Sequence, residues 1–190
     1  MKIIDNKKDA IKELNRISSR TNSENNDKIN SIVEEILQEV KTCGDSAVEK
    51  FTRKFDGFNP KPMQIKAIDL KDAWDGIDSN LQQSLEVAHE RIKKFHEKEI
   101  PSSFTIEGVH GDRVQRQWSP VKKAGIYIPG GRAAYPSTVL MNAIPAKVAG
   151  VKEITMVSPG NKEGAINKTV LAAAHLSGIN KVFRIGGAQA

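Results

Sequence analysis

Cysteine is nearly missing from this chain, Cys43 being the only one among 190 residues. One thiol excludes an intramolecular disulfide framework and any multi-cysteine zinc ribbon, and it agrees with a reducing, cytoplasmic compartment. Long apolar runs are missing too. No stretch approaches the ~20 consecutive apolar residues that span a bilayer, and Met1-Lys2-Ile3-Ile4-Asp5 lacks the apolar core and cleavage site of a signal peptide. There is no internal repeat and no low-complexity tract. With 38% hydrophobic residues the chain can bury a core as one domain or two small ones, so neither disorder nor a fibrous protein fits.

Several catalytic signatures are also absent. The four histidines are His89, His96, His110 and His175. His89 and His96 lie on one expected helix but form no H-E-x-x-H and have no thiolate cluster beside them, so they read as surface or packing residues rather than metal ligands. No Ser-His-Asp arrangement or isolated carboxylate pair stands out. The net charge of +6 raises the question of nucleic acid. In the densest basic stretch, however, Arg91, Lys93, Lys94 and Lys98 share a helix with Glu90, Glu97 and Glu99, the pattern of a solvated helical face. A nucleic-acid-binding protein is therefore the weakest reading, and no nucleic-acid partner is expected.

What is present is a change of pattern along the chain. Ile3, Ile4, Ala10, Ile11, Leu14 and Ile17 mark a short arm, and polar residues through Ser23 form a linker; such a helix packs on something else, in the same chain or a partner. From Asn26, the residues Ile29, Ile32, Val33, Ile36, Leu37 and Val40 fall on one stripe of an amphipathic helix. Gly44 supplies a left-handed stop, Ser46 and Glu49 have capping-box spacing, and the next helix should turn Ala47, Val48, Phe51 and Phe55 inward before Asp56-Gly57. Leu70 to Ile77 suggest a third helix. Leu81, Leu85, Ala88, Ile92 and Phe95 suggest a long fourth one ending before Pro101. Phe104 to Ile106 and Val114 to Trp118 alternate around Gly108 to Asp112, which predicts a β-hairpin.

After Pro120 the pattern becomes β/α. Ala124 to Ile128 reads as a short buried strand, and Pro129-Gly130-Gly131 as the turn into a helix from Ser137-Thr138 with Val139, Leu140, Ala143, Ile144 and Val148 toward the sheet. Pro145 inside that helix predicts a kink or irregular turn. A strand over Glu153 to Val157, a helix over Ile166 to Leu176 and a strand over Val182 to Ile185 follow, and Gly186-Gly187-Ala188-Gln189-Ala190 begins another helix. The expected fold is α/β: an N-terminal helical region with a β-hairpin, followed by an incomplete Rossmann-like parallel sheet. Its divisions are an arm and linker over 1–23, a helical domain with hairpin over 24–120, and the first half of a nucleotide-binding domain over 121–190. The interruption leaves the last strand with an exposed sheet edge and the isolated piece marginally stable.

A glycine turn after the first strand lets backbone N–H groups approach a phosphate. The turn is neither G-x-G-x-x-G nor a P-loop, and no acidic residue occupies an obvious ribose position, so spacing alone leaves a tight turn without a ligand equally open. The longer string is specific. Gly125 to Gly131, Pro136-Ser137-Thr138-Val139-Leu140-Met141, Ile144-Pro145-Ala146 and Gly186-Gly187-Ala188-Gln189-Ala190, with Gly44-Asp45-Ser46-Ala47 and Lys54-Phe55-Asp56-Gly57 upstream, closely resemble histidinol dehydrogenase.

That resemblance implies an enzyme that oxidises L-histidinol through the aldehyde to L-histidine, with two NAD and a zinc ion that holds the substrate, and that works as a homodimer with exchanged segments. By position it implies that Tyr127 and Gln189 bind NAD, with Phe55 and Pro129 lining the same site. Read without it, Tyr127 is a core strand residue and Gln189 a polar helix-start residue. The family's zinc ligands (a glutamine, two histidines and an aspartate) and its glutamate-histidine acid/base pair match positions beyond Ala190. The resemblance therefore implies no catalytic or metal-binding residue within this chain, which reads as a truncated enzyme, inactive alone. The alternative is a non-catalytic nucleotide-binding or regulatory module that retains the fold.

Overall fold

A computed structural model describes residues 3–18, 24–130 and 133–190. The expected linker over 19–23 and Gly131 of the glycine turn lie outside the described residues. Helix α1 runs over Lys7–Ser18, with no buried residue. Helix α2 (Glu24–Cys43) and helix α3 (Asp45–Phe55) follow, separated by Gly44 at φ 58°, the left-handed residue expected there. Ser46 and Glu49 do not form a capping box. Gly44 is itself the N-cap residue of α3 and offers no side-chain bond, while the Ser46 hydroxyl donates backward to the Cys43 carbonyl (2.8 Å). Packing rather than capping fixes α3, which buries Ala47, Val48, Phe51 and Thr52. Phe55, expected inward, is half-exposed because α3 ends on it and the chain turns at Asp56-Gly57; its ring stacks on Phe51 (5.9 Å between centroids) and lies under the Lys54 ammonium (5.2 Å).

The middle of the chain contains a strand the hydrophobic pattern did not predict. Strand β1 (Gln64–Ile65) precedes helix α4 (Ala67–Asp75), and helix α5 (Ser79–Glu97) starts where the Asp78 carboxylate accepts the Asn80 N–H (2.9 Å). The expected hairpin is present as strands β2 (Phe104–Glu107) and β3 (Arg113–Arg116), paired antiparallel with Ile106 opposite Val114 and exposed throughout.

Strand β4 (Lys123–Tyr127), helix α6 (Pro136–Val148), strand β5 (Glu153–Val157), helix α7 (Lys168–Leu176) and strand β6 (Lys181–Phe183) then build two parallel crossovers. Helix α6 is continuous across Pro145, which lies in its last turn and has no N–H to offer the Met141 carbonyl. The sheet order is β1-β6-β5-β4, with β4, β5 and β6 parallel and β1 antiparallel to β6. The edge of β6 is therefore covered rather than open: Gln64 pairs with Phe183, and Ile65 with Val182.

Register explains the core. Ile126, Met156 and Val182 are partners across the three parallel strands and, with Ile128 and Ile154, face the helices. Val139, Leu140, Ala143 and Ile144 of α6 and Val170, Ala173 and Ala174 of α7 complete that layer. The opposite face carries Gly125, Thr155 and Lys181 in one row and Tyr127, Val157 and Phe183 in the next, all exposed or half-buried. Strand β4 is thus buried on one face only, not on both as its apolar run suggested. It stands at the end of the sheet, and both crossover helices pack on the other side. Below the sheet, Glu153 accepts from Lys181 (2.9 Å) and pairs with Lys123 (3.2 Å), linking all three parallel strands at their amino ends. These cations, Lys181 foremost, hold the Glu153 carboxyl below the usual carboxylate range.

Candidate functional site

In an open α/β sheet the loops that leave the carboxyl ends of the parallel strands gather at one edge, where ligands bind. Here three such loops meet: Pro129-Gly130 after β4, Ser158-Pro159-Gly160 after β5, and the segment after β6 that ends in a short 3-10 turn over Gly187–Gln189. Pro159 is the keystone. A Cβ at Gly130 would lie 2.5 Å from Pro159 Cγ, and one at Gly186 would lie 2.5 Å from Pro159 Cβ, so only glycine lets the first and third loops close on this ring. The Ser158 N–H donates to the Phe183 carbonyl (3.1 Å), which holds the second loop to the third strand.

The structure brings Tyr127 and Gln189 to this edge. Tyr127 is 46% exposed on the uncovered face of β4, not packed in the core. Its hydroxyl accepts the Gly187 N–H at 3.1 Å, a bond from the first strand to the turn that holds Gln189. The phenolic O–H remains free to donate elsewhere. Gln189 is buried, with 3% exposure, yet neither Oε1 nor Nε2 finds a hydrogen-bond partner. A buried primary amide with both ends unpaired loses its desolvation energy without return until a ligand or water meets it, a cost of about 1–3 kcal/mol. Gly187, at φ 65°, gives the amide its room: a Cβ there would sit 2.5 Å from Gln189 Oε1.

Pro129 is exposed at the mouth of the first loop, next to Gly130. Phe55 stands at the end of α3, and both α2 and α3 pack against the 187–189 turn. Two contributors were not singled out by sequence. Pro159 carried a signal, since Ser158-Pro159-Gly160 follows a strand just as Pro129-Gly130 does. Gly187 was visible as a motif glycine, but its role in seating the amide required coordinates.

The features that could meet a nucleotide are the glycine loops closed on Pro159, the unpaired donor and acceptor at Gln189, and the exposed Tyr127, whose hydroxyl holds the same turn. A metal is another matter. Among the described residues no group of three or more His, Cys, Asp or Glu side chains is placed to hold one. His96 instead meets Glu99, and His175 lies beside Trp74 (6.4 Å between ring centroids). No helix among the described residues is long and apolar enough to cross a membrane.

A sequence profile of histidinol dehydrogenase matches residues 19–190. The chain belongs to the histidinol dehydrogenase family. It is 84% identical over its whole length to a histidinol dehydrogenase of Prochlorococcus marinus strain MIT 9312, of which it covers 43%. It is 42% identical over 192 aligned positions to that of Gloeobacter violaceus, again covering 43% of the relative. The chain thus spans less than half the length of the curated relatives it matches. Among solved structures, the crystal structure of histidinol dehydrogenase from Elizabethkingia anophelis superimposes with a TM-score of 0.80 at 34% identity, over 85% of this chain and 37% of the other. The mixed α/β architecture is that of the family, and an oxidoreductase family at that.

Proposed function

We propose that residues 121–190 form the cofactor side of a histidinol dehydrogenase active site, and that Tyr127 and Gln189 bind NAD. The observation that carries the reading is the buried, unpaired Gln189 amide at the carboxyl edge of three parallel strands, in a turn that the Tyr127 hydroxyl holds through the Gly187 N–H. The Gln189 amide would donate to and accept from the cofactor, and Tyr127 would offer its ring face and its O–H. Pro129 and Phe55 would border the same cleft. The family reaction is L-histidinol, two NAD and water giving L-histidine and two NADH, with release of protons, and hydride acceptance is what NAD supplies when bound.

This chain's residues bind and orient; its described part holds no cluster to take the zinc ion. We place the zinc ligands and the proton-transfer pair of the family outside these 190 residues, so the chain alone is inactive. The wider setting belongs to the same proposal: a cytoplasmic, homodimeric enzyme of histidine biosynthesis. Its proposed divisions are an arm over 1–23, a helical domain over 24–120 and a nucleotide-binding half from 121, with β1 and α4 reaching from the second into the third. A non-catalytic nucleotide-binding module is the competing outcome.

Titration of the purified chain with NAD tests the reading. Gln189→Ala is expected to weaken binding by about tenfold or more, the equivalent of one hydrogen-bonded amide, and Tyr127→Ala to weaken it too. Equal affinity in wild type and both variants would overturn the assignment. With zinc and L-histidinol added, absorbance at the NADH band should stay flat. A zinc-dependent rise would disprove inactivity, whereas NAD binding in the chain together with no NAD-linked oxidation by its longer relatives would favour the module.

A further inference from the structure

The Gln189 amide makes no hydrogen bond within the protein, so its own polar atoms cannot set where it points. Its position comes from the backbone of a three-residue turn, and that turn is held from two sides. On one side the Tyr127 hydroxyl accepts the Gly187 N–H. On the other, Ala188 packs against a small apolar cluster formed by buried Ile36, Ala47 and Phe51, with Val40 beside them. That cluster is separate from the main core, and the two helices that build it pack on each other and on this turn. Ala188 sits between the residue bonded to Tyr127 and the residue that carries the amide. A shift of one methyl group there moves both.

We infer that Phe51 and Ile36 are positioning residues for Gln189, acting through Ala188, so that the packing of α2 on α3 sets cofactor affinity through two residues that do not themselves reach the cofactor. The inference rests on the reading of Gln189 as an NAD ligand. Close-packed interiors transmit a change of shape rather than absorb it, and loss of one methylene at Ile36 or a ring at Phe51 leaves Ala188 without its stop.

Two measurements on the 190-residue chain test this and separate its failure from that of the NAD reading. The first is amide exchange by NMR, which needs no ligand. In Phe51→Leu the Gly187 N–H should exchange about tenfold faster while Thr155 and Met156 in the central strand keep their protection. The second is a double-mutant cycle in NAD titrations. Phe51→Leu and Ile36→Val should each raise Kd about fivefold with Gln189 in place and less than about twofold in the Gln189→Ala background, the mark of residues acting through that amide. Calorimetric stoichiometry separates partial unfolding, which lowers the number of sites, from mispositioning, which lowers affinity alone. Ile36→Val carries the test if Phe51→Leu loses helical signal. Unchanged Gly187 exchange, or equal affinity losses in both backgrounds, overturns the inference. Faster Gly187 exchange in a chain whose wild type binds no NAD supports the positioning of the turn and removes the NAD reading instead.

Discussion

Gly187 combines two demands that no other residue type meets, a left-handed backbone at φ 65° and an open space for the Gln189 amide. Gly187→Ala would add left-handed strain of about 1–2 kcal/mol and push the amide aside. The expected outcome is a lower urea midpoint together with a larger loss of NAD affinity than global destabilisation explains; equal affinity at temperatures well below melting would count against it. Asp56, in the Lys54-Phe55-Asp56-Gly57 motif, shows the other kind of residue-scale tension. One of its carboxylate oxygens is buried without a partner, and burial pushes its pKa up. A raised carboxyl pKa means that the folded state binds the proton more tightly, so this group's contribution is full at acid pH and lost as pH rises through the raised value. Asp56→Asn should therefore raise the urea midpoint at pH 7 and change it little near pH 3. Lower stability at both pH values would show that the carboxylate has a partner of consequence.

Elements differ in how much of them the sequence reveals. The helices α2 to α7 were legible because each repeats its apolar positions over two or more turns, and Val139, Leu140, Ala143 and Ile144 fell on the buried face as expected. Strand β1 was not, since two residues cannot display an alternation. Its place is set by contacts remote in sequence: the Arg184 N–H donates to the Met63 carbonyl (2.9 Å), and the Arg184 side chain donates to the Pro62 carbonyl (2.7 Å) and the Gly164 carbonyl (3.3 Å). Phe58 packs on the same Gly164, where a Cβ would lie 2.7 Å from its ring. The motif string singled out Tyr127 and Gln189, which lie at one edge of the sheet, but not that Tyr127 would bond the turn bearing Gln189, because hydrogen bonds across loops leave no periodic trace. Arg184→Ala removes the charged donor that fastens this segment and should cost about 1–3 kcal/mol in urea unfolding, with Gln64 and Ile65 amides losing exchange protection first. Uniform loss of protection across the sheet would refute the local role.

Over the whole molecule, apolar surface is distributed unevenly. Ile29, Ile32 and Leu37 of the α2 stripe are more than half exposed, and α1 buries nothing. Ile32→Glu is accordingly expected to shift the unfolding free energy of the isolated chain by no more than about 0.5 kcal/mol, checked by urea titration at a concentration where the chain is monomeric; a larger loss would mean that α2 is packed in solution. At the far end of the sheet, the Glu153 pKa is lowered by Lys181 and Lys123, so its contribution is present above the ordinary carboxylate range and fades as pH falls below it. Glu153→Gln should flatten the acid limb of the stability profile and leave Asp56's opposite trend visible.

The path of the chain also has a consequence for synthesis. Pro62 waits for Arg184, which lies 122 residues further on, and the cluster under α2 and α3 waits for Ala188. A nascent chain halted before Lys181 would have finished both helices and could pack them on each other, yet would lack the turn that Ala188 seats on them, so structures made early are secured only by residues more than a hundred positions further on. Assembly of the candidate site and anchoring of α2 and α3 then become a single event, completed by the same few residues.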